Sequence, residues 1–189
     1  MTTLGHGLTG IALGVLAAPR SWTRARQGWL LFLFVGLSVV PDWPLPGWGH
    51  FSYRVSHSLL VNLLLIGLAA AAYARSRRAR RLLGGWPVFV FGALAWLSHF
   101  VLDAMYSHGK GVAVLWPLSD ARLNLGLPWF RTLPSGWWND PGTLASILAV
   151  EAACYGGVLV LCVVLRWLWE RRRASARDAT SRAWPFPRA

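Results

Sequence analysis

The stretch LLGGWPVFVFGALAWLSHFVL, residues 82–102, is 21 residues long, contains no Asp, Glu, Lys or Arg, and runs directly into Asp103. A helix crosses a bilayer with about 20 apolar residues, so this stretch predicts a membrane-spanning helix that ends in a polar cluster. Four more apolar runs flank it, at residues 4–18, 28–40, 56–74 and 142–165. The runs at 56–74 and 142–165 have comparable length. Those at 4–18 and 28–40 are shorter and leave three options open: extension by flanking residues, local thinning of the bilayer, or a shallow hairpin. The expected fold class is all-α, a polytopic transmembrane bundle of about five helices. Residues 1–169 form the membrane-embedded domain and residues 170–189 a basic, flexible tail.

Composition agrees with the bilayer as solvent. Hydrophobic residues make up 55% of the chain, 13 residues are Trp, and mean hydropathy is +0.42, too apolar for an ordinary soluble domain. The net charge of +12 would suggest nucleic acid if it formed a patch on a soluble fold. Here the basic residues instead sit in short clusters between apolar runs. That placement points to anionic lipid headgroups and orientation signals, and no nucleic-acid partner is expected.

Arg20, Arg24 and Arg26 follow the first run. Arg75, Arg77, Arg78, Arg80 and Arg81 follow the third, and Arg166, Arg171, Arg172, Arg173, Arg177, Arg182 and Arg188 follow the fifth. Only four of the 19 basic residues, Arg54, Lys110, Arg122 and Arg131, fall in the alternate loops. Because cytoplasmic loops keep Lys and Arg, this alternation predicts an outside N-terminus and a cytoplasmic C-terminus. No basic residue precedes the first run, unlike a secretory signal, so that run is expected to be a retained helix. Cys154 and Cys162 lie eight residues apart in one run and are read as packing or lipid-facing residues without a disulfide.

All five histidines fall at the predicted outer ends of the first four runs. His6 opens the first, Asp42 closes the second, His50 lies in the loop that follows, and His57 starts the third. His99 and Asp103 end the fourth, with His108 just beyond. Ionisable groups at membrane depth are costly, so such clustering suggests a site, although helix ends near headgroups also tolerate these residues. The four-residue spacing of His99 and Asp103 puts both side chains on one helical face, where they can share a cation or simply hydrogen-bond each other. Their neighbours Trp96 and Phe100 are read as packing residues. Ser56 or Ser58 is expected to cap the helix beside His57 and support its ring. Glu151, deep in the fifth run, needs a proton or a partner and is read as bonding a neighbouring helix or backing the site. The loop at 110–141, with Trp116, Trp129, Trp137 and Trp138, is expected to lie in the interface as an aromatic belt.

Taken in order, Gly5-His6, Pro41-Asp42, Ser56-His57-Ser58-Leu59-Leu60, Leu97-Ser98-His99 with Asp103, and Gly111-Val112 leading to Leu115-Trp116-Pro117 resemble the YdjM-type inner-membrane metal-dependent hydrolases. The resemblance covers about the first 120 residues. It departs where Pro44 replaces the second Asp of the family's Pro-Asp-x-Asp, and where Ser52-Tyr53-Arg54-Val55 replaces a His-Arg-Gly element. His50 is the candidate substitute for that histidine.

The resemblance implies a multi-pass protein of a bacterial-type inner membrane and a divalent metal among His6, Asp42, His57, His99 and Asp103, with His50 and His108 as possible additional ligands. Imidazole and carboxylate donors suit Zn²⁺ ahead of Mn²⁺. Asp42 or Asp103 would be the catalytic base, and Arg54, Lys110 and Arg122 would receive a phosphate. The expected function is hydrolysis at the outer membrane surface, with a lipid phosphoester as the preferred substrate class. The alternatives are a noncatalytic scaffold or lipid-binding protein whose cluster is structural, and a transporter, whose ionisable groups should line a path through the bilayer.

Overall fold

The computed structural model describes residues 3–106, 111–132, 136 and 140–183. Within them the chain forms seven α-helices and isolated β-bridges, with no named strand. Helix α1 spans Thr3–Ala17, α2 Arg24–Ser38, α3 Tyr53–Ser56, α4 Leu59–Arg75, α5 Arg77–Leu82, α6 Trp86–Met105 and α7 Pro141–Ala183. Two of them, α6 and the first 36 residues of α7, are long and apolar enough to cross a membrane, while α1 and α4 are shorter apolar helices. An all-helical chain follows from a solvent that cannot satisfy backbone N–H and C=O groups.

Local chemistry sets most boundaries. Thr23 caps α2 by accepting from Arg26 N, Ser58 caps α4 by accepting from Val61 N, and Ser76 caps α5 by accepting from Ala79 N. The apolar run at 56–74 is therefore divided by the Ser58 cap, and α4 proper begins at Leu59. The run at 82–102 is also re-cut. Gly84 and Gly85 take φ of +85° and +84° in a turn, and α6 starts at Trp86 with Pro87 in its first turn. At the far end the basic segment from Glu170 continues α7 as helix through Ala183. No break separates it from the apolar part, so the boundary expected at residue 170 is not marked in the backbone.

Helix α1 is the hub, packing against α2, α6 and α7. Its small residues make this possible. A Cβ on Gly10 would stand 2.6 Å from the Phe34 carbonyl oxygen and 2.9 Å from Ser38 Oγ, and one on Gly14 would stand 2.8 Å from Leu31 Cδ2. The pair is spaced four apart, which lets two helix backbones approach closely in an apolar medium. Between them α1, α2 and α6 bury Ala17, Leu30, Phe34, Val88 and Ala95. Helix α4 packs on α6 and α5.

Parts of the loop after α6 are core rather than interface. Val112 and Ala113 are buried, Val112 and Leu123 form an antiparallel bridge, and Leu59 N donates to Val114 O at 3.0 Å. Trp129 is exposed, as an interfacial residue would be. Trp137 and Trp138 lie outside the described residues.

Because the Gly10 contact is with backbone, it cannot relax by a rotamer change. Gly10→Ala is expected to lower the thermal midpoint in detergent by the equivalent of about 1–3 kcal/mol. Gly67→Ala, where a Cβ meets nothing within 4 Å, should leave it unchanged or raise it slightly.

Candidate metal centre

Five side chains predicted from four separate segments meet at one end of the bundle. His6 comes from the first turns of α1, and Asp42 from the 3₁₀ turn Val40–Asp42 that follows α2. His57 lies between α3 and α4, and His99 and Asp103 lie one turn apart near the end of α6. The three histidines are at most 1% exposed.

Asp103 sits at the middle. Its Oδ1 is 3.3 Å from His6 Nε2, and its Oδ2 is 3.5 Å from His57 Nε2 and 3.2 Å from His99 Nε2. Asp42 closes the other side, with Oδ1 3.3 Å from His57 Nε2 and Oδ2 3.7 Å from His99 Nε2. The His6 and His99 rings stack 4.0 Å apart, 7° from parallel.

Neighbouring groups fix which nitrogen of each ring faces inward. His99 Nδ1 lies 3.0 Å from the Ser38 carbonyl oxygen, so it must carry the proton and donate. Ser56 Oγ donates to Gly49 O at 3.1 Å and therefore accepts from His57 Nδ1, 2.8 Å away. With Nδ1 committed outward, a neutral form of either ring would present its Nε2 lone pair to the centre, the arrangement in which an outer hydrogen bond prepares a histidine to bind a metal. Those two Nε2 atoms are 3.3 Å apart. Two lone pairs at that distance repel unless a proton or a cation lies between them.

The residues fit a divalent ion on three further observations. His57 Nε2, His99 Nε2 and Asp103 Oδ2 form a triangle with edges of 3.2, 3.3 and 3.5 Å. Donors in a tetrahedral shell of about 2.0–2.1 Å bonds stand about 3.3 Å apart, so the triangle has the right size for one face of it. His6 is buried, its Nδ1 makes no hydrogen bond among the described residues, and its Nε2 faces Asp103 Oδ1 at 3.3 Å. Finally, His6, Asp42 and His99, and separately His57, His99 and Asp103, offer donor atoms within 4.8 Å of one another.

Electrostatics outside the spanning segments follow the same geometry. Burial pulls the His57 imidazolium down, but hydrogen bonds to Asp103 and Asp42 and their charge outweigh it, leaving its pKa above the usual value. Burial raises Asp42, and its hydrogen bond to His57 and the nearby His99 carry it below the ordinary carboxylate value. Burial, with Asp103 and Asp42 nearby, pushes the Tyr53 phenol well up. Tyr53 stacks on His57 with centroids 3.8 Å apart.

A second layer holds these residues in place. Asn62 Nδ2 donates to the Ser56 and Ser58 carbonyls at 2.8 Å each, clamping the turn that carries His57. Its Oδ1 accepts from Trp96 Nε1 at 2.7 Å. Trp96, read from sequence as packing alone, is thus also a hydrogen-bonding link between α6 and α4. Gly49, at φ +58°, would place a Cβ 2.3 Å from the Trp43 carbonyl oxygen, so only glycine brings its own carbonyl to Ser56. Glu151 is buried on α7. It accepts from Gly5 N at 3.2 Å and from Tyr106 Oη at 2.9 Å, and so anchors the N-terminus of α1 beside His6. This is the neighbouring-helix role expected of it.

Of the remaining candidates, the two that are described, Arg54 and Arg122, do not join the five. Arg54 pairs with Asp120 at 3.1 Å on the surface. The Arg122 guanidinium lies 5.9 Å from the Tyr53 ring, one ring removed from His57, and its Nη1 donates to Gly111 O. The His50 side chain, His108 and Lys110 lie outside the described residues. Asn62 and Tyr106 were missed in the sequence. An Asn inside the apolar run Leu59-Leu-Val-Asn62-Leu-Leu was the available signal for the first, because an amide in a spanning helix needs partners.

Fold and site together define a helical membrane protein with a buried His/Asp cluster suited to a metal ion. The chain matches the YdjM inner membrane protein family over residues 1–173 and belongs to it. No curated protein and no solved structure matches the chain at a significant level.

Asn62→Leu removes the donors to two carbonyls and is expected to cost about 2–4 kcal/mol of stability, read as a lower unfolding midpoint in detergent. Arg54→Gln breaks an exposed pair and should change the midpoint by less than about 1 kcal/mol equivalent.

Proposed function

We propose that this protein is a metal-dependent hydrolase whose site lies at the outer membrane surface and whose substrate is a lipid phosphoester. The observation that carries the reading is the facing pair of Nε2 atoms on His57 and His99, 3.3 Å apart with Asp103 Oδ2 completing the triangle. His57, His99 and Asp103 would hold the ion, with Asp42 and His6 beside them. Zn²⁺ suits these donors ahead of Mn²⁺. Once bound, such an ion would lower the pKa of a coordinated water from about 15.7 toward 7 and polarise the phosphoryl oxygen.

The chain's own groups divide the remaining work by exposure. Asp103 has a side chain 14% exposed and is enclosed by three imidazoles, which suits holding rather than proton exchange. Asp42, 32% exposed on its side chain, is the more accessible carboxylate and the better general base. It takes the proton of the attacking water as the new P–O bond forms. The bond to the leaving alcohol breaks, and the departing oxygen takes back the proton that Asp42 received. Arg122, 5.9 Å from the Tyr53 ring, would meet a phosphate oxygen. Arg54 would have to leave Asp120 first.

The membrane placement belongs to the same proposal. We read α1, α2, α4, α6 and α7 as five crossings, with the N-terminus outside and α7 ending in the cytoplasm. The support is the alternation of basic clusters together with the position of the five site residues at the opposite helix ends. Headgroups would then meet the centre at its own depth, which is the argument for a lipid substrate.

A structural metal site in a noncatalytic membrane protein is the second reading. It is favoured by the number of donors, since five side chains around one ion can fill its shell and leave no open position. A transport path is less well supported. The deep carboxylate Glu151 is engaged with Gly5 N and Tyr106 Oη rather than lining a channel.

Elemental analysis of protein purified without chelator or metal-affinity resin tests the first step. Near-stoichiometric zinc or manganese in the wild type, lost in the double variant His57→Ala, His99→Ala, is expected; no metal in either would overturn the proposal. With metal present, Asp42→Asn is expected to retain the ion and lower phosphoester hydrolysis about 10²–10⁴-fold. A wild type that binds metal and turns over no phosphoester would leave the structural reading.

A further inference from the structure

The other end of the bundle carries a second arrangement of polar groups that the metal centre does not use. There α1, α7 and the start of α6 enclose a cleft of about 500 Å³. Arg20, Arg166 and Arg173 line it together with Trp169, and Leu16, Pro87 and Phe91 give it an apolar side.

The charges in this cleft do not balance. Arg20 Nε and Arg166 Nε both approach the same oxygen, Glu170 Oε1, at 3.0 Å. The Arg173 guanidinium stacks on Trp169 at 3.9 Å, and that of Arg20 lies 4.8 Å from the same ring. Arg166 also donates to the Val15 carbonyl near the end of α1, where a cation complements the helix dipole. Among the described residues, three guanidinium groups thus gather near one carboxylate, which Arg20 and Arg166 contact and Arg173 does not. Helix ends and an indole hold them close, and close packing of like charge favours an anion that can accept several N–H bonds at once.

A phosphate diester meets that requirement, and the apolar wall beside the arginines accepts what a phosphate diester carries in a membrane. We propose that this cleft binds one anionic phospholipid, its phosphate among Arg20, Arg166 and Arg173 and its glycerol and upper acyl chain against Leu16, Pro87 and Phe91. The inference rests on the membrane placement proposed above and is independent of the hydrolase reading. It differs from a general attraction of basic loops to an anionic surface, because it assigns a defined place and a stoichiometry of one.

Native mass spectrometry of the full chain in a neutral detergent, with phosphatidylglycerol or phosphatidylcholine added, tests it. One phosphatidylglycerol per chain is expected to be retained in preference to phosphatidylcholine. Arg20→Gln with Arg173→Gln should weaken that retention about ten-fold. Arg77→Gln with Arg78→Gln removes the same charge from exposed positions on α5 and should leave it unchanged.

Equal weakening in both pairs would show diffuse attraction and overturn the site. Equal retention of the two lipids would do the same, as would displacement of the lipid by millimolar inorganic phosphate, which would make the occupant a soluble anion. If the cleft pair loses its helical circular dichroism, Arg173→Gln alone carries the same expectation, its guanidinium being stacked on Trp169 rather than on Glu170. Retention should also persist in the His57→Ala, His99→Ala variant, so that loss of the metal and loss of the lipid are separate results.

Discussion

Asp103 stands within 3.5 Å of the Nε2 atoms of three histidines drawn from three parts of the chain, and the upper end of the bundle is organised around that convergence. Each imidazole arrives with its outer nitrogen already committed or buried. His99 is held by the Ser38 carbonyl at the end of α2, and His57 by Ser56 Oγ. A helix end and a turn therefore decide the direction of lone pairs at the centre. Without those outer bonds the rings could flip, and the inner donors would become a mixture of lone pairs and N–H groups.

The fold and the site are coupled through small residues and buried amides. Gly10 and Gly14 let α1 lie close on α2, which brings His6 over His99 as a parallel stack and sets Ser38 opposite the His99 ring. Glu151 performs a related task from α7 by accepting from the first turn of α1 and from Tyr106. Asn62 joins the His57 turn to Trp96 on α6. In a medium that offers no competing water, each of these buried polar groups must find its partner inside the protein. They hold geometry as well as satisfy hydrogen bonds.

The two ends of the molecule have opposite chemistry. One gathers carboxylates and imidazoles against a loop whose Val112 and Ala113 are buried, and the other gathers arginines around Glu170 and Trp169. Helices connecting the two ends pass through an apolar interior, so each end can engage a different part of its surroundings. The acidic end offers donors that could hold a cation, and the basic end offers guanidinium groups that could meet an anion. Helix α1 takes part in both ends, carrying His6 at one and leading into Arg20 at the other.

The all-helical class was legible because an apolar solvent leaves the backbone no other local solution, and runs such as residues 82–102 record this directly in composition. Membership of the site by His6, Asp42, His57, His99 and Asp103 was also legible, since all five mark ends of apolar runs. Their mutual distances were not. Sequence spacing relates His99 to Asp103 through one helix turn, but it says nothing of His6, 93 positions before His99. The glycine contacts on α1 set how closely it lies on α2, and the Ser58 cap and the Gly84-Gly85 turn set where α4 and α6 begin. The supporting roles of Asn62, Trp96 and Tyr106 were hidden for the same reason: a side chain's hydrogen-bond partner on another helix depends on rotation and depth, which a linear pattern does not encode. Sequence alone determined which residues the membrane would tolerate only at its surface, because that depends on transfer from water and is local. Tertiary structure alone decided which of them point at one another, because that depends on backbone approach between segments far apart in the chain.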